Sequence, residues 1–332
     1  MKKISKINLI TVIAFALLIV GLMTVGTIYD LQISHALVDL KYPNYLSTSI
    51  FGRYFEIIGE MPFYPIIAFA GAILYHNISR REKKAINYLL RALAIAISIG
   101  MFYYMSYKFF KYISEHFGFS DLLGGSFDYI SYALLGVAFT AILFYCTRKT
   151  PSAVLNKLLI WVCIVFATAL ISQILTRIIK PMASRPRYRA MFVLQDFTLF
   201  KNWFEFQSKP DIPEDWVVLY GATSDWFKSF PSGHTSAGSL VITLTLLPSL
   251  FDKSNNLKSK IIVNVVVLVY IFAVMLNRLV VGAHFLTDVT VGLFVTIISY
   301  YISLVVIRKI FSKVNITPLS ENRPQIIETA IE

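Results

Sequence analysis

The chain has 332 residues, a formal net charge of +12, 56% hydrophobic residues and only 15% charged ones. Soluble domains carry ~25% charged residues, so this composition excludes an ordinary soluble protein. The basic excess points to Lys/Arg-rich cytoplasmic loops and anionic lipid rather than to nucleic acid.

Apolar runs long enough to cross a bilayer recur along the chain. Lys2, Lys3 and Lys6 precede the first, Ile7–Tyr29. It has the start of a secretory signal but runs too long and lacks a small-residue cleavage site, so an uncleaved anchor is expected. The second, Ile57–Tyr75, is interrupted near its start by Gly59, Glu60, Pro62 and Pro65, as a re-entrant or interfacial segment would be. Six further spans are predicted at Ile86–Tyr107, Tyr129–Tyr145, Leu158–Ile179, Thr235–Phe251, Ile261–Leu276 and Phe285–Ile307. Cys146 and Cys163 lie in or beside spans without metal-ligand spacing, which predicts packing roles.

Basic clusters at Lys2/Lys3/Lys6, Arg80/Arg81/Lys83/Lys84, Arg148/Lys149/Lys157, Lys253/Lys258/Lys260 and Arg308/Lys309/Lys313 fall on one side if there are eight crossings. Both termini are then expected in the cytoplasm. One loop on the opposite side breaks this trend, with Arg177, Lys180, Arg185, Arg187 and Arg189 close together. Positive charge against the topological rule suggests an anion site. The rest of that loop, 181–230, is soluble in character but rich in Phe, Trp and Tyr. It reads as an interfacial aromatic belt or as a lid over a lipid substrate. The expected domain is therefore 1–313, an all-α polytopic membrane helical bundle, followed by a disordered cytoplasmic tail at 314–332.

Three short segments sit at span ends on the same expected face: Lys180 to Arg189, Pro231-Ser232-Gly233-His234, and Asn277-Arg278 through His284 to Asp288. His284 and Asp288 are four apart on a helical segment and share a face, so the carboxylate can orient the ring and leave one nitrogen free to attack. Ser232 and Gly233 before a helix offer a cap and open backbone N–H groups suited to phosphate. His234 is placed to protonate a leaving oxygen. Lys180, Arg187 and Arg278 can hold phosphoryl oxygens. His35, His76 and His116 read as structural or interfacial.

These segments resemble the three signature motifs of the type 2 phosphatidic acid phosphatase superfamily. The second motif is complete at Pro231–His234. In the third, Arg278, His284 and Asp288 keep the family spacing, while Asn277 replaces a serine. In the first, Lys180 and Arg187 keep it, although Tyr188 stands where proline is usual and an Arg-Pro pair occurs earlier at Arg185-Pro186. Arg187 takes the role on spacing, with Arg185 in reserve. The motifs lie within 158–307.

The resemblance implies His284 as nucleophile, Asp288 as its orienter and His234 as general acid, with Lys180, Arg187, Ser232, Gly233 and Arg278 binding phosphate. It also implies about six core spans plus two additions, a site at the extracytoplasmic helix ends, and neither metal nor other cofactor. The implied partner is a lipid phosphate or diphosphate in the bilayer, hydrolysed through a phosphohistidine. A lipid or sugar acceptor in place of water would make the protein a phosphotransferase. A non-enzymatic anionic-lipid binder or transporter would need only the basic cluster. The residues are silent on which lipid is used and on oligomeric state.

Overall fold

The computed structural model describes residues 6–41, 46–81, 84–117, 126–207, 211–251 and 254–313. The tail expected at 314–332 lies outside them. The chain is a helical bundle, with a two-residue antiparallel ladder pairing β1 (Leu40–Lys41) and β2 (Leu46–Ser47). Among the described residues, seven helical segments are long and apolar enough to cross a membrane.

α1 (Lys6–Leu37) packs along α12 (Leu286–Lys313). The interrupted second span is two helices, α2 (Ile50–Ile58) and α3 (Phe63–Ser79), separated by a break at Gly59–Pro62. Ser49 caps α2 by accepting from the Gly52 amide. The Tyr270 hydroxyl reaches the exposed carbonyls of the break, lying 3.2 Å from Ile58 O and 3.0 Å from Gly59 O. Protein coverage of this kind is what lets backbone depart from helix at membrane depth.

α4 (Ala85–Phe117) and α5 (Ser126–Thr147) follow. α4 is 33 residues long and so reaches about 50 Å. It continues about three turns past the predicted Tyr107 boundary and delivers Lys108, Tyr112 and His116 to the site end. α6 (Ser152–Ala183) carries Lys180 in its last turn and ends at Ser184 in the left-handed region (φ 41°). The predicted span at Thr235–Phe251 is a composite of α9 (Gly233–Gly238), a 3₁₀ stretch over Ser239–Leu246 and α10 (Leu247–Leu250). Thr243 and Thr245 hydroxyls donate to carbonyls three residues back, at Leu240 and Ile242. Such bonds compete with the α-helical ladder. The tighter 3₁₀ winding rises faster per residue, so the composite still covers roughly 30 Å, one hydrocarbon thickness. α11 (Leu257–Val280) and α12 complete the bundle.

The main core joins α3, α6, the 3₁₀ stretch, α11 and α12 around the buried Trp161, Ile73, Leu240, Ile271 and Leu293. In the aromatic loop lie α7 (Tyr188–Leu194) and α8 (Glu214–Tyr220). Several aromatics of its first part pack against the bundle, while Phe204 and Phe206 stay exposed. Tyr188, Phe197, Phe200 and Phe285 pack together, and Trp203 stacks on Phe230 while its indole donates to Thr27 of α1 at 2.9 Å.

Candidate active site

A cavity of about 1300 Å³ opens at one end of the bundle. It gathers Lys180, Arg187, Gly233, His234, Arg278 and His284 from all three motifs. Arg80 bonds Ser152 and the carbonyls of Arg148 and Thr150, so two of the basic turns adjoin. They connect the ends of α3–α6 remote from the cavity.

The segment 226–232, just ahead of the second motif, threads between the others. Its Trp226 carbonyl accepts from the Arg187 amide at 2.8 Å, and its Lys228 carbonyl accepts from Lys180 Nζ at 2.8 Å. The Ser229 amide donates to the Arg185 carbonyl at 3.0 Å, and the Ser232 amide to the Asp288 carbonyl at 3.0 Å. Gly292 permits this last approach, because a Cβ there would lie 2.5 Å from the Ser232 carbonyl oxygen. The Phe230–Pro231 peptide within the segment is cis.

His284 is buried, and its Nδ1 lies 2.6 Å from the Ser229 carbonyl. A carbonyl can only accept, so Nδ1 carries the proton and the Nε2 lone pair is free. Burial is the chief cause holding the imidazole low, at about 3. The Asp288 carboxylate opposes this, and Lys180, Arg187 and Arg278 add to it. The ring is therefore neutral at ordinary pH. Asp288 does not make the shortest contact expected of an orienter: its Oδ2 is 3.7 Å from Nδ1. That oxygen accepts from the Ser229 hydroxyl and from the Phe285 amide at 2.8 Å, while Oδ1 meets Arg185 Nη1 at 2.5 Å. Asp288 thus orients His284 largely through Ser229.

The two candidate arginines of the first motif part company. Arg185 is 1% exposed and absent from the cavity wall. It bonds Asp288, Thr287, the Lys201 carbonyl and, from α1, Asp30 at 3.0 Å, with Phe285 beneath its guanidinium. Arg187 lines the cavity and pairs with Asp225 at 2.9 Å, leaving its Nε buried without a partner among the described residues. Arg278 likewise pairs with Glu56 at 3.1 Å through Nη1 and leaves Nε unpartnered. Two idle guanidinium N–H groups at one cavity suit an incoming oxyanion. Ser232 is buried off the cavity wall and acts as the cap, its hydroxyl oxygen accepting from the Thr235 amide at 3.3 Å, while Gly233 faces Lys180. Asn277, in the serine position, donates to the carbonyls of Phe51 and Gly52 and fastens α2.

The opposite wall was not foreseen. Its carboxylates come from α2 and the break after it. Glu56 meets Arg278, Arg189 at 3.6 Å and His116 Nε2 at 3.2 Å; Glu60 meets Lys108 at 3.2 Å. His116, read as structural, lines the cavity. His234 sits between the walls, its Nε2 3.1 Å from the Tyr112 hydroxyl and its Nδ1 3.7 Å from Glu60. Burial first, then Arg278, Lys108 and His284, holds His234 well below the ordinary histidine range. Burial alone would raise the Asp225 carboxyl, but Arg187, Arg189 and Lys180 outweigh it and hold that carboxyl low. The only sequence signal for this wall was the interruption at Gly59–Pro62, an irregularity at membrane depth.

A multi-pass bundle whose cationic, histidine-bearing cavity sits at the helix ends belongs among membrane enzymes that handle phosphate-bearing substrates. Residues 158–312 match the model of the PAP2 superfamily, which supports a phosphatase-type enzyme. No curated protein and no solved structure matches the chain.

Proposed function

We propose that the protein hydrolyses a lipid phosphate or diphosphate at the outer face of the membrane through a phosphohistidine, without a metal. The observation that carries this reading is His284, its Nδ1 set 2.6 Å from the Ser229 carbonyl, on the same cavity as Lys180, Arg187 and Arg278.

In the first step His284 Nε2 attacks phosphorus. The P–O bond to the lipid breaks as His234 gives a proton to the departing oxygen. Lys180, Arg187, Arg278 and the Gly233 amide hold the equatorial oxygens while charge spreads over them. Burial, Arg278 and Lys108 disfavour protonated His234; a bound phosphate offsets the two cations and lets the ring take up the proton it must donate. In the second step His234, now neutral, accepts a proton from water. The P–N bond breaks, phosphate leaves, and His284 returns to its starting tautomer.

Orientation follows from charge. The basic turns at Arg80/Arg81 and Arg148/Lys149, at the ends remote from the cavity, belong in the cytoplasm with both termini, which puts the cavity outside.

The test is phosphate release from a panel of lipid phosphates and diphosphates in liposomes, in chelator, by wild type and His284→Ala. Release by wild type that disappears in the variant supports the reading and identifies the preferred lipid. Labelled phosphate appearing on a lipid or sugar product would replace it with the phosphotransferase. Loss of wild-type activity in chelator would overturn the metal-free claim.

A further inference from the structure

The cavity does not end at the phosphate-binding groups. On α6 its lining residues recur every three or four positions and change character along the helix: Lys180 and Thr176 near the motifs, then Gln173, then Leu170, Ala169 and Phe166. From Lys180 to Phe166 this is a descent of roughly 20 Å, more than half the hydrocarbon thickness. α4 runs the same gradient, from His116 and Tyr112 through Lys108 and Tyr104 to Met101 and Gly100. The interrupted second span runs from Glu56 on α2 and Glu60 in the break to Phe63 and Ile67 on α3. Three spans thus change together from charged to apolar in one direction.

The flanking helices pack on their neighbours rather than on each other. α4 packs on α2, α3 and α5, and α6 packs on α3, α12 and the 233–250 composite. The space between them is a groove floored by α3, with Leu170 (62% exposed) and Ile174 (47% exposed) at its lip. Gly100 leaves it open: a Cβ built there meets nothing within 4 Å.

We infer that the groove between α4 and α6 holds the hydrocarbon chain of the substrate, which enters sideways from the bilayer with its phosphate at His284. This rests on the lipid-phosphate reading above and adds to it the place and depth of the chain. Continuity identifies the occupant: one cavity with a cationic end and an apolar end fits one molecule with a phosphate at one end and a chain at the other. Gln173 lies between the two ends, about 10 Å below Lys180. Its Nε2 is buried without a partner among the described residues, and an acceptor on the link between phosphate and chain would satisfy it. The α4 wall lies outside the residues matched by the family, so this half of the groove belongs to the chain's own N-terminal part.

Two experiments test the inference. In the first, turnover of dipalmitoyl phosphatidate in liposomes is divided by turnover of dihexanoyl phosphatidate, for wild type, Gly100→Phe and the lipid-facing control Leu134→Phe. The ratio is expected to fall at least tenfold in Gly100→Phe and to stay within twofold in Leu134→Phe. A ratio within twofold of wild type in Gly100→Phe would overturn the groove, while absence of release from either lipid by wild type would count against the phosphatase reading instead. In the second, which needs no turnover, wild type is photolabelled with a long-chain phosphatidate bearing a diazirine near the chain end. Label on peptides spanning 97–104 and 166–174 supports the groove, whereas label confined to α11 or α12 overturns it.

Discussion

The two walls of the cavity are held by different means. The motif wall hangs on backbone: the 226–232 segment presents its carbonyls to Lys180, Arg187 and His284, and the ring of His284 is set by a peptide group. The α2–α4 wall is held by side-chain charge, with Glu56 and Glu60 balancing Arg278, Arg189 and Lys108. A backbone clamp depends on how closely elements approach, whereas a charge balance depends on which groups are ionised. Damage to the first should therefore resemble misplacement, and damage to the second should resemble a change of pH.

The largest effect is expected at the centre of the motif wall. His284→Ala should lower phosphate release by a factor on the order of 10³ or more with little change in melting temperature. A residual rate within tenfold of wild type would remove His284 as nucleophile. Next, the two arginines should separate by kind of damage. Arg187→Ala should cost roughly 10²–10³ in turnover while the fold survives. Arg185→Leu should instead lower stability by about 3–5 kcal/mol, because Asp30 and Asp288 then share a buried site without their counter-charge. Thermal unfolding in detergent and turnover, measured side by side, check both, and the reverse assignment would make Arg185 the phosphate ligand.

Gly292→Ala probes the backbone clamp alone. The added methyl must push the Ser232 carbonyl away, at a cost of about 1–3 kcal/mol in stability and a loss of turnover. Unchanged turnover would mean that the motif turn need not sit so close to α12.

The smallest effect concerns the charge-balanced wall and is read from pH. A general acid must be protonated, so activity falls as pH rises through its pKa, and kcat reports the substrate-bound form. Glu60→Gln removes a negative charge beside His234, making the protonated ring less favourable. The basic limb of the kcat profile should therefore move to lower pH, with Glu60→Asp nearer to wild type. A limb that stays in place would separate Glu60 from His234.

Periodicity and the three motifs made the membrane bundle and most of the cationic cluster legible in the residues alone, because spacing on a helix converts directly into a shared face. Arg187 was chosen over Arg185 on spacing, and the cavity contains Arg187. What escaped was built from tertiary contacts that carry no local pattern. Ser229 acts mainly through its carbonyl, which every residue possesses. Asp225 is an ordinary charge in a loop until it meets Arg187 and Arg189. The α4 residues lie beyond the point where the apolar run ends, so a boundary drawn on hydropathy cut them off. Ser232 was read both as a helix cap and as a phosphate ligand, and its hydroxyl accepts from the Thr235 amide of its own helix.

Asp30 lies on α1, in the half of the chain outside the family match, yet it accepts from Arg185 at 3.0 Å and from the amide of Thr287 at 3.1 Å. The Asp288 carboxylate beside His284 is thus tied, through one arginine, to α1. Arg185 precedes α12 in the chain, so Asp30 can meet its counter-charge first, and the buried cluster is completed only when α12 brings Asp288. Assembly therefore closes as a ring. A fragment beginning at residue 158 would contain every motif and still lack the anchor that holds Arg185 against Asp288, and restoring it should require α1 supplied as a separate chain.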